Sequence, residues 1–292
     1  MQKIKIVVAG SDTPLGKSLI KFLHQNDNFC LCPLFEDSDI KDDDTNMHYL
    51  DGKILRKAII SHRPDFVINC IGKIDLAYCE AEKKSAHDWN VGVAENIIKA
   101  TKISDAHCIL LSSGLVFDGK KQFYSEEDKQ NPLNYFGKTK LEMENFCKSS
   151  QVIYTIIRTG ELFGLGAGSV LDDMTSSLMA DRIYKSNFDF IQSITYAGDL
   201  FLAIYKIIEK RREGVYHVAS AASMSLGDAA DYLDRDYKVS RAKLIIEKDI
   251  KITVPYKCEL ITLKAETDLS FRMTSFADGI QAYLNSKIIF PK

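Results

Sequence analysis

The sequence predicts an α/β fold, a doubly wound parallel sheet with a small second domain built from the C-terminal residues. Three observations lead there. Apolar strand-like runs alternate with helical stripes through the first half of the chain. The run Phe66-Val67-Ile68-Asn69-Cys70-Ile71 has no polar alternation beyond Asn69, as expected of a strand covered by helices on both faces. The first apolar run leads straight into a turn bracketed by Gly10 and Gly16, and a helical pattern follows at once.

In chain order, residues 4–9 read as the first strand. Leu15, Leu19, Phe22 and Leu23 then form a helical stripe. Residues 29–35 are a second strand and residues 66–71 a third. Trp89, Val93, Ile97 and Ala100 mark another helix, residues 108–111 a fourth strand and residues 152–157 a further one. The pattern loosens after Gly164. Residues 199–212 are amphipathic, with Leu200, Ile204, Ile207 and Ile208 on one side, and residues 214–219 read as a late strand. Ser225 with Asp228, and Ser275 with Asp278, have the spacing of capping boxes that open helices. The expected division is residues 1–165 plus about 187–220 for the sheet domain, and about 166–186 plus 221–292 for the second domain. The second domain is expected over the carboxyl ends of the strands, where such sheets bind ligands.

Composition narrows the function classes. Hydrophobic residues are 46% and charged residues 27% of the 292-residue chain, enough for a sizeable core. A net charge of −2 offers no electrostatic case for nucleic acid or an anionic membrane. The acidic run Asp42-Asp43-Asp44 reads as a solvated loop. The first residues lack both a positive n-region and a separate apolar h-region, and no run approaches the roughly 20 apolar residues of a membrane span. Seven cysteines lie without metal spacing, and Cys30 and Cys32 alternate within an apolar run as strand residues would. Reduced thiols in a cytoplasm are the expectation. His24, His48, His62, His87, His107 and His217 show no paired spacing, so no metal site is expected. A G-x-S-x-G elbow is also missing, which argues against a serine hydrolase.

The glycine turn, Gly10-Ser11-Asp12-Thr13-Pro14-Leu15-Gly16, carries the first chemical signal. Strand, turn and helix in succession set a helix N-terminus against a pyrophosphate, which implies a Rossmann domain for NAD or NADP. Gly10 allows the tight turn and Gly16 the close packing of helix on strand. Short-chain dehydrogenases carry a further glycine at the middle position, where this chain has Thr13. Its Cβ and methyl occupy space that phosphate would approach, and its hydroxyl would offset this by donating to phosphate. The alternative is a plain βα turn that binds nothing. Glu36 and Asp37 end the second strand, where a carboxylate would bond the ribose 2′-hydroxyl of NAD and repel the 2′-phosphate of NADP. A solvated loop carboxylate is the alternative there.

Several further segments are informative together. Arg63-Pro64-Asp65-Phe66-Val67-Ile68-Asn69 resembles an RPDVVIN strand, with Glu80 and Asn90 at its usual downstream positions. Ser112-Ser113-Gly114-Leu115-Val116-Phe117-Asp118-Gly119 resembles STDYVFDG, and Pro132-Leu133-Asn134-Tyr135-Phe136-Gly137-Lys138-Thr139-Lys140-Leu141 resembles PxNxYGxTKL. Ile157-Arg158-Thr159 with Phe163-Gly164 resembles RTSWxxG. Thr195-Tyr196-Ala197 with Asp199-Leu200 resembles TYAxDLA. In order and spacing, to about residue 220, these segments resemble the dTDP-4-dehydrorhamnose reductase family of the extended short-chain dehydrogenase/reductase superfamily. That branch modifies sugar nucleotides and also includes the regulatory β subunit of methionine adenosyltransferase.

The resemblance implies a cofactor site at Gly10, Thr13, Pro14, Leu15, Gly16, Glu36, Leu50, Asp51, Cys70, Ile71, Gly72 and Lys140, with Asp51 near the adenine. It implies catalytic positions at Ser113, Phe136 and Lys140, and substrate contacts at Lys73, Arg158 and Glu161. In the family's reaction, hydride passes from the nicotinamide to a ketone carbon and a tyrosine hydroxyl protonates the oxygen. A lysine four residues later lowers that tyrosine's pKa and holds the ribose, and a Ser or Thr hydroxyl orients the carbonyl. Ser113 and Lys140 fill two of these positions. The tyrosine position holds Phe136, which has no acidic proton. Tyr135 next to it points about 100° away on a helix. Other pocket positions change as well. Gly114 and Leu115 replace Asp-Tyr, Lys73 and Ile74 follow the third strand, and Gly160 and Glu161 replace Ser-Trp.

Two functions follow from this pattern. One is an NAD(P)-dependent reductase-like enzyme acting on a nucleotide-linked keto-deoxysugar of surface polysaccharide synthesis, with protonation from water, Tyr135 or Lys73. The other is a catalytically inactive dinucleotide- or sugar-nucleotide-binding protein, either homo-oligomeric or regulating a partner. Phe136 is the residue that separates them.

Overall fold

The structure, a computed structural model, describes residues 3–36, 48–166, 168–186, 189–220, 223–247, 253–255 and 257–285. Asp37 and the run at 42–44 lie outside the described residues. The chain divides into two units. Unit 1 is Met1–Ser112, Lys138–Ile157 and Ile204–Val215; unit 2 is Ser113–Gly137, Arg158–Ala203 and Tyr216–Lys292.

The chain begins with β1 (Ile4–Ala9), α1 (Pro14–Leu23), β2 (Phe29–Leu34), α2 (Gly52–Ser61) and β3 (Phe66–Asn69). Next come α3 (Leu76–Ala81), α4 (Lys83–His87), a π-helical turn at Asp88–Gly92, α5 (Val93–Ile103) and β4 (His107–Ser113). A 3-10 turn at Gly114–Val116 precedes β5 (Phe123–Tyr124), α6 (Tyr135–Ser149), β6 (Ile153–Thr159) and β7 (Glu161–Phe163). Then follow α7 (Val170–Met179), β8 (Tyr184–Ser186), β9 (Ile191–Tyr196), α8 (Ala197–Lys210) and β10 (Gly214–Val218). The last elements are β11 (Ser223–Met224), α9 (Leu226–Tyr237), β12 (Leu244–Ile246), β13 (Lys257–Leu260), α10 (Leu263–Leu269) and α11 (Phe276–Leu284).

Unit 1 is organised on a parallel six-stranded sheet in the order β10-β6-β4-β3-β1-β2. This is the doubly wound arrangement expected from the apolar runs. Strand order reverses between β1 and β3, and ligands of such sheets bind at the carboxyl ends of the strands beside that reversal. The strand expected over 66–71 ends at Asn69. The Cys70 amide still donates to Ala9 O at 2.8 Å, but the Ile71 amide is captured by Asn69 Oδ1 at 2.9 Å, which turns the chain off the ladder. Pro33 is tolerated in β2 because β2 is an edge strand, where a missing amide costs no ladder bond. The core of this unit gathers Val7, Leu55, Ile59, Val67, Ile97, Cys108 and Leu110, all fully buried. Burial of each such aliphatic side chain stabilises the fold by about 1.5–3 kcal/mol.

Unit 2 has its own core. β9 pairs antiparallel with β11 and parallel with β7 and β13. Phe163 lies 5.5 Å from Tyr196 and 5.4 Å from Phe276, between ring centroids. Gly279 lets α11 approach, since a Cβ there would meet Phe163 Cζ at 2.7 Å. The stretches 113–137, 158–165, 189–203 and 216–220, drawn with the sheet domain on pattern alone, group with unit 2 because their side chains pack there, and of the expected 187–220 the segment Ile204–Val215 stays with unit 1. Phe117 stacks on Tyr124 at 4.3 Å, and the Arg158 guanidinium lies 5.2 Å from the Phe117 ring. Ser225 and Asp228 form a reciprocal capping box on α9. On α11 the serine cap forms, while the Asp278 carboxylate accepts the Ser275 hydroxyl instead of a backbone amide. Among the described residues, no helix is long and apolar enough to cross a membrane.

Candidate functional site

In unit 1 the glycine turn sits at the strand-order reversal. Gly10 has φ +87°, and a Cβ there would press on Ile71 Cγ1 at 2.9 Å and Cys70 C at 3.0 Å. A Cβ at Gly16 would lie 2.0 Å from Gly10 O. Both positions therefore require glycine, one for backbone conformation and close approach, the other for packing of α1 on the turn.

Thr13 behaves differently from the sequence expectation. It is the N-cap of α1: its Oγ1 accepts the Gly16 amide at 3.0 Å and donates to Gly10 O at 2.7 Å. The hydroxyl's single proton is thus committed within the turn and is not directed at phosphate. Other donors are committed too. The Gly10 and Ser11 amides go to Leu34 O, the Thr13 amide to Gly10 O and the Lys17 amide to Thr13 O, while Pro14 has no N–H. Among the described residues the Asp12 and Leu15 amides are what the turn offers an anion. The Asp12 carboxylate is drawn away by the Tyr49 hydroxyl, 2.5 Å from its Oδ1. Burial first, and Asp12 second, push the Tyr49 pKa far up, so it remains a donor.

The other expected cofactor positions differ in their surroundings. Glu36 is partly exposed at the end of β2, with His48 Nδ1 3.7 Å from its carboxylate. Leu50 is exposed. Asp51 caps α2, its Oδ1 accepting the Lys53 and Ile54 amides at 2.9 and 3.0 Å, so it has a structural task whatever it does for adenine. Cys70, Ile71 and Gly72 close the end of β3. A Cβ at Gly72 would lie 3.1 Å from Asn90 Oδ1 and 3.7 Å from Lys140 Nζ, which places the buried amine beside that strand end.

Lys140 Nζ donates to Leu111 O at 3.1 Å. Burial lowers its pKa to about 8, with Cys79 and Glu144 opposing. Below it on α6, buried Glu144 accepts from Ser112 Oγ at 2.7 Å and pairs with Lys148 at 3.0 Å. Asn90 organises the rest. From the π-helical turn, its Oδ1 accepts the Lys73 amide at 2.7 Å, and its Nδ2 donates to Lys73 O at 3.0 Å and Thr139 Oγ1 at 3.1 Å. It thereby ties the β3 end to α6. Lys73 Nζ lies 4.6 Å from the Trp89 ring, a cation–π contact. Sequence reasoning placed Asn90 in a motif but assigned it no role, because a π-helical turn leaves no periodicity to read.

In unit 2, Ser113 precedes the 3-10 turn, and its Oγ accepts the Leu115 amide at 3.1 Å. That leaves its proton for a ligand. Phe136 lies in the first turn of α6 and is buried. The register of that turn is held by Asn134, whose Oδ1 accepts the Gly137 amide at 2.8 Å, and by Gly137, where a Cβ would meet Leu115 O at 2.2 Å. Tyr135 therefore cannot slide into the place of Phe136. Arg158, expected at the substrate, is 0% exposed; its Nη1 donates to Glu126 O at 3.2 Å and lies 3.3 Å from His217 Nε2. It serves the interior of unit 2. Glu161 Oε1 accepts the Val170 amide at 3.1 Å. Burial, with Asp172 and Asp173 adding to it, raises the Glu161 pKa to about 7.

Comparison with known proteins gives a consistent result. The model of the RmlD substrate binding domain family matches residues 4–288. The chain is 25% identical to methionine adenosyltransferase 2 subunit beta of Mus musculus, over 96% of this chain and 87% of that one. It is 27% identical to dTDP-4-dehydrorhamnose reductase of Aggregatibacter actinomycetemcomitans, over 77% and 76% of the two chains. The crystal structure of dTDP-4-dehydrorhamnose reductase from Bacillus anthracis, in complex with NADP, superposes with a TM-score of 0.84 at 23% identity, covering 98% of this chain and 99% of that one.

Proposed function

The chain belongs to the RmlD substrate binding domain family, and from that footing we propose that it binds a nicotinamide dinucleotide on unit 1 without performing tyrosine-driven reduction of a nucleotide-linked keto-deoxysugar. One observation carries this reading: Phe136, four residues before Lys140 on α6, stands where the proton donor would be. The residues of unit 1 support binding. The Asp12 and Leu15 amides would meet the pyrophosphate, Glu36 a ribose hydroxyl, and the Lys140 amine beside Gly72 the nicotinamide ribose. When bound, the dinucleotide would supply hydride chemistry. Ser113 would donate to a ligand carbonyl. An alkoxide formed there would lack its acid, and a positioned acid typically contributes about 10²–10⁴-fold. The Bacillus anthracis structure holds NADP, and the mouse relative is named as a subunit of another enzyme; both support a binding role, with the partner possibilities of a second copy or another protein.

The retained Ser113 and Lys140 favour a second reading, a slow reductase whose proton comes from water, Tyr135 or Lys73. NAD(P)H oxidation by the native protein and by Phe136→Tyr, against nucleotide-linked 4-keto-6-deoxysugars, separates the two, with calorimetry of dinucleotide binding alongside. Binding without turnover in either form is expected. A gain of about a hundredfold in Phe136→Tyr on one substrate would establish a reductase lacking only its acid.

A further inference from the structure

β2 carries two half-buried cysteines on one face. Cys30 and Cys32 are two residues apart in a regular strand, and strand alternation points both side chains the same way. The parallel register sets Lys5 of β1 beside Cys30 and Val7 beside Cys32, so these four residues share that face. Cys32 packs against the core that holds Val7, Leu34, Leu55 and Ile59, while Cys30 lies nearer the start of the strand. β2 is the edge strand of its sheet, and both thiols are partly exposed there. Cys70, Cys79, Cys108, Cys147 and Cys258 are buried.

Strand geometry decides what such a pair can do. A rise of about 3.3 Å per residue separates the two Cβ atoms by roughly 6.6 Å, with their Cα–Cβ bonds side by side. A disulfide needs Cβ atoms about 3.5–4.5 Å apart, so joining the sulfurs directly would pull β2 out of its ladder with β1. A bridging metal ion closes the gap instead, since two metal–thiolate bonds of roughly 2.3 Å each reach across it. The two thiols already act on each other: burial first, then the charge and hydrogen bond of Cys30, raise the Cys32 pKa, and Lys5 opposes this.

The donor set selects the metal. Thiolates are soft ligands, and the neighbours on this face, Lys5, Val7 and Leu34, add no third donor. Among the described residues, no group of three or more His, Cys, Asp or Glu side chains could hold a metal ion. Structural zinc takes four ligands, whereas monovalent copper is satisfied by two thiolates in a line. A bis-thiolate copper(I) centre carries one negative charge. The Lys5 ammonium, which donates to His62 O at 3.3 Å, belongs to the same face and offsets that charge.

We propose that Cys30 and Cys32 form a two-coordinate site for a soft monovalent metal ion, copper(I), at the edge of the six-stranded sheet. On binding, each thiol gives its proton to solvent and each sulfur forms one bond to the metal, with no change of oxidation state. The site uses neither the glycine turn nor Phe136, so it stands apart from the dinucleotide reading.

Competition for the metal tests this. The reduced full chain is titrated with copper(I), without oxygen, against bicinchoninate, whose copper complex is coloured. One equivalent of copper should be withheld from the chelator, and X-ray absorption should show two sulfur ligands. Cys30→Ser and Cys32→Ser should each hold copper at least about a hundredfold more weakly, since loss of an outer-shell partner alone costs roughly 10–100-fold. Cys258→Ser, which keeps a donor for Gly114 O, should match the native chain. A second measurement needs no variant: bound copper should protect Cys30 and Cys32 together from alkylation by iodoacetamide, mapped by peptide mass spectrometry. Loss of all the copper to the chelator, unchanged affinity in either folded serine variant, alkylation of the pair at an unaltered rate with copper bound, or equally tight retention of zinc would overturn the proposal.

Discussion

Replacing Thr13 tests how the turn trades helix capping against anion binding. Thr13 Oγ1 occupies the Gly16 amide, one of few donors the turn could turn toward a pyrophosphate. Thr13→Gly removes the cap acceptor and the side chain together. Losing a threonine cap costs about 0.5–2 kcal/mol when alanine replaces it and a few tenths when glycine does. Against that, the released Gly16 amide gains one charge-assisted hydrogen bond to phosphate, about 1.5–3 kcal/mol, or roughly tenfold or more in affinity. Calorimetry with NAD and NADP should therefore show tighter binding by Thr13→Gly, while urea unfolding shows a small loss of stability. Thr13→Ser is the control. It keeps the cap and loses only the methyl, so its affinity should stay near the native value. If Thr13→Gly binds no more tightly, with binding detectable in both, the account of the turn is refuted. A gain in Thr13→Ser equal to that in Thr13→Gly would assign the effect to the methyl instead of the captured amide.

Asp51→Ala should cost about 1 kcal/mol through the α2 cap, near 2–4 °C in Tm for a chain of this size, and should weaken dinucleotide binding. Asp51→Asn restores the cap, so an unchanged Kd in both variants would leave Asp51 with the cap alone. Asn90→Ala strips partners from Lys73 and Thr139 and should destabilise by on the order of 3 kcal/mol; a loss below about 0.5 kcal/mol in urea unfolding would contradict the clamp. Burial raises Asp199 to about 6 and Glu161 to about 7. Both ionise less readily folded than unfolded, so their contribution is full below about pH 4 and is lost as pH rises through 6 to 7, at most about 6 kcal/mol for the two together. Asp118 and Asp128, each lowered to about 2, act in the opposite sense but only below that window. His107, lowered by burial to about 4, opposes Asp199 and Glu161 within the window, gaining stability as pH rises from about 4 to 6.5. The carboxyl share is therefore read as a difference: urea unfolding between about pH 4.5 and 7.5 should show stability falling less, or rising more, with pH in Glu161→Gln with Asp199→Asn than in the native protein; an unaltered slope in the double variant would contradict the assignment.

Local pattern was enough for some of these features and not for others. The covered strand at 66–69, the glycine turn and the alternation of strands with helices are legible because each is written in consecutive residues. Phe136 is legible for the same reason, since its distance from Lys140 is one helical turn whatever the rest of the chain does. Side-chain direction and partnership were decided only by the tertiary structure. Thr13 turns its hydroxyl inward to Gly10 and Gly16, Arg158 points into the interior of unit 2 toward Glu126 and His217, and Asn90 joins Lys73 to Thr139. Apart from Thr13, these contacts join residues 17 to 59 positions apart. Periodicity tells which face of an element is apolar but not which distant group a polar atom on it will meet. That partner also decides whether burial costs or stabilises, and so whether Lys140 and Glu161 keep their ordinary pKa values.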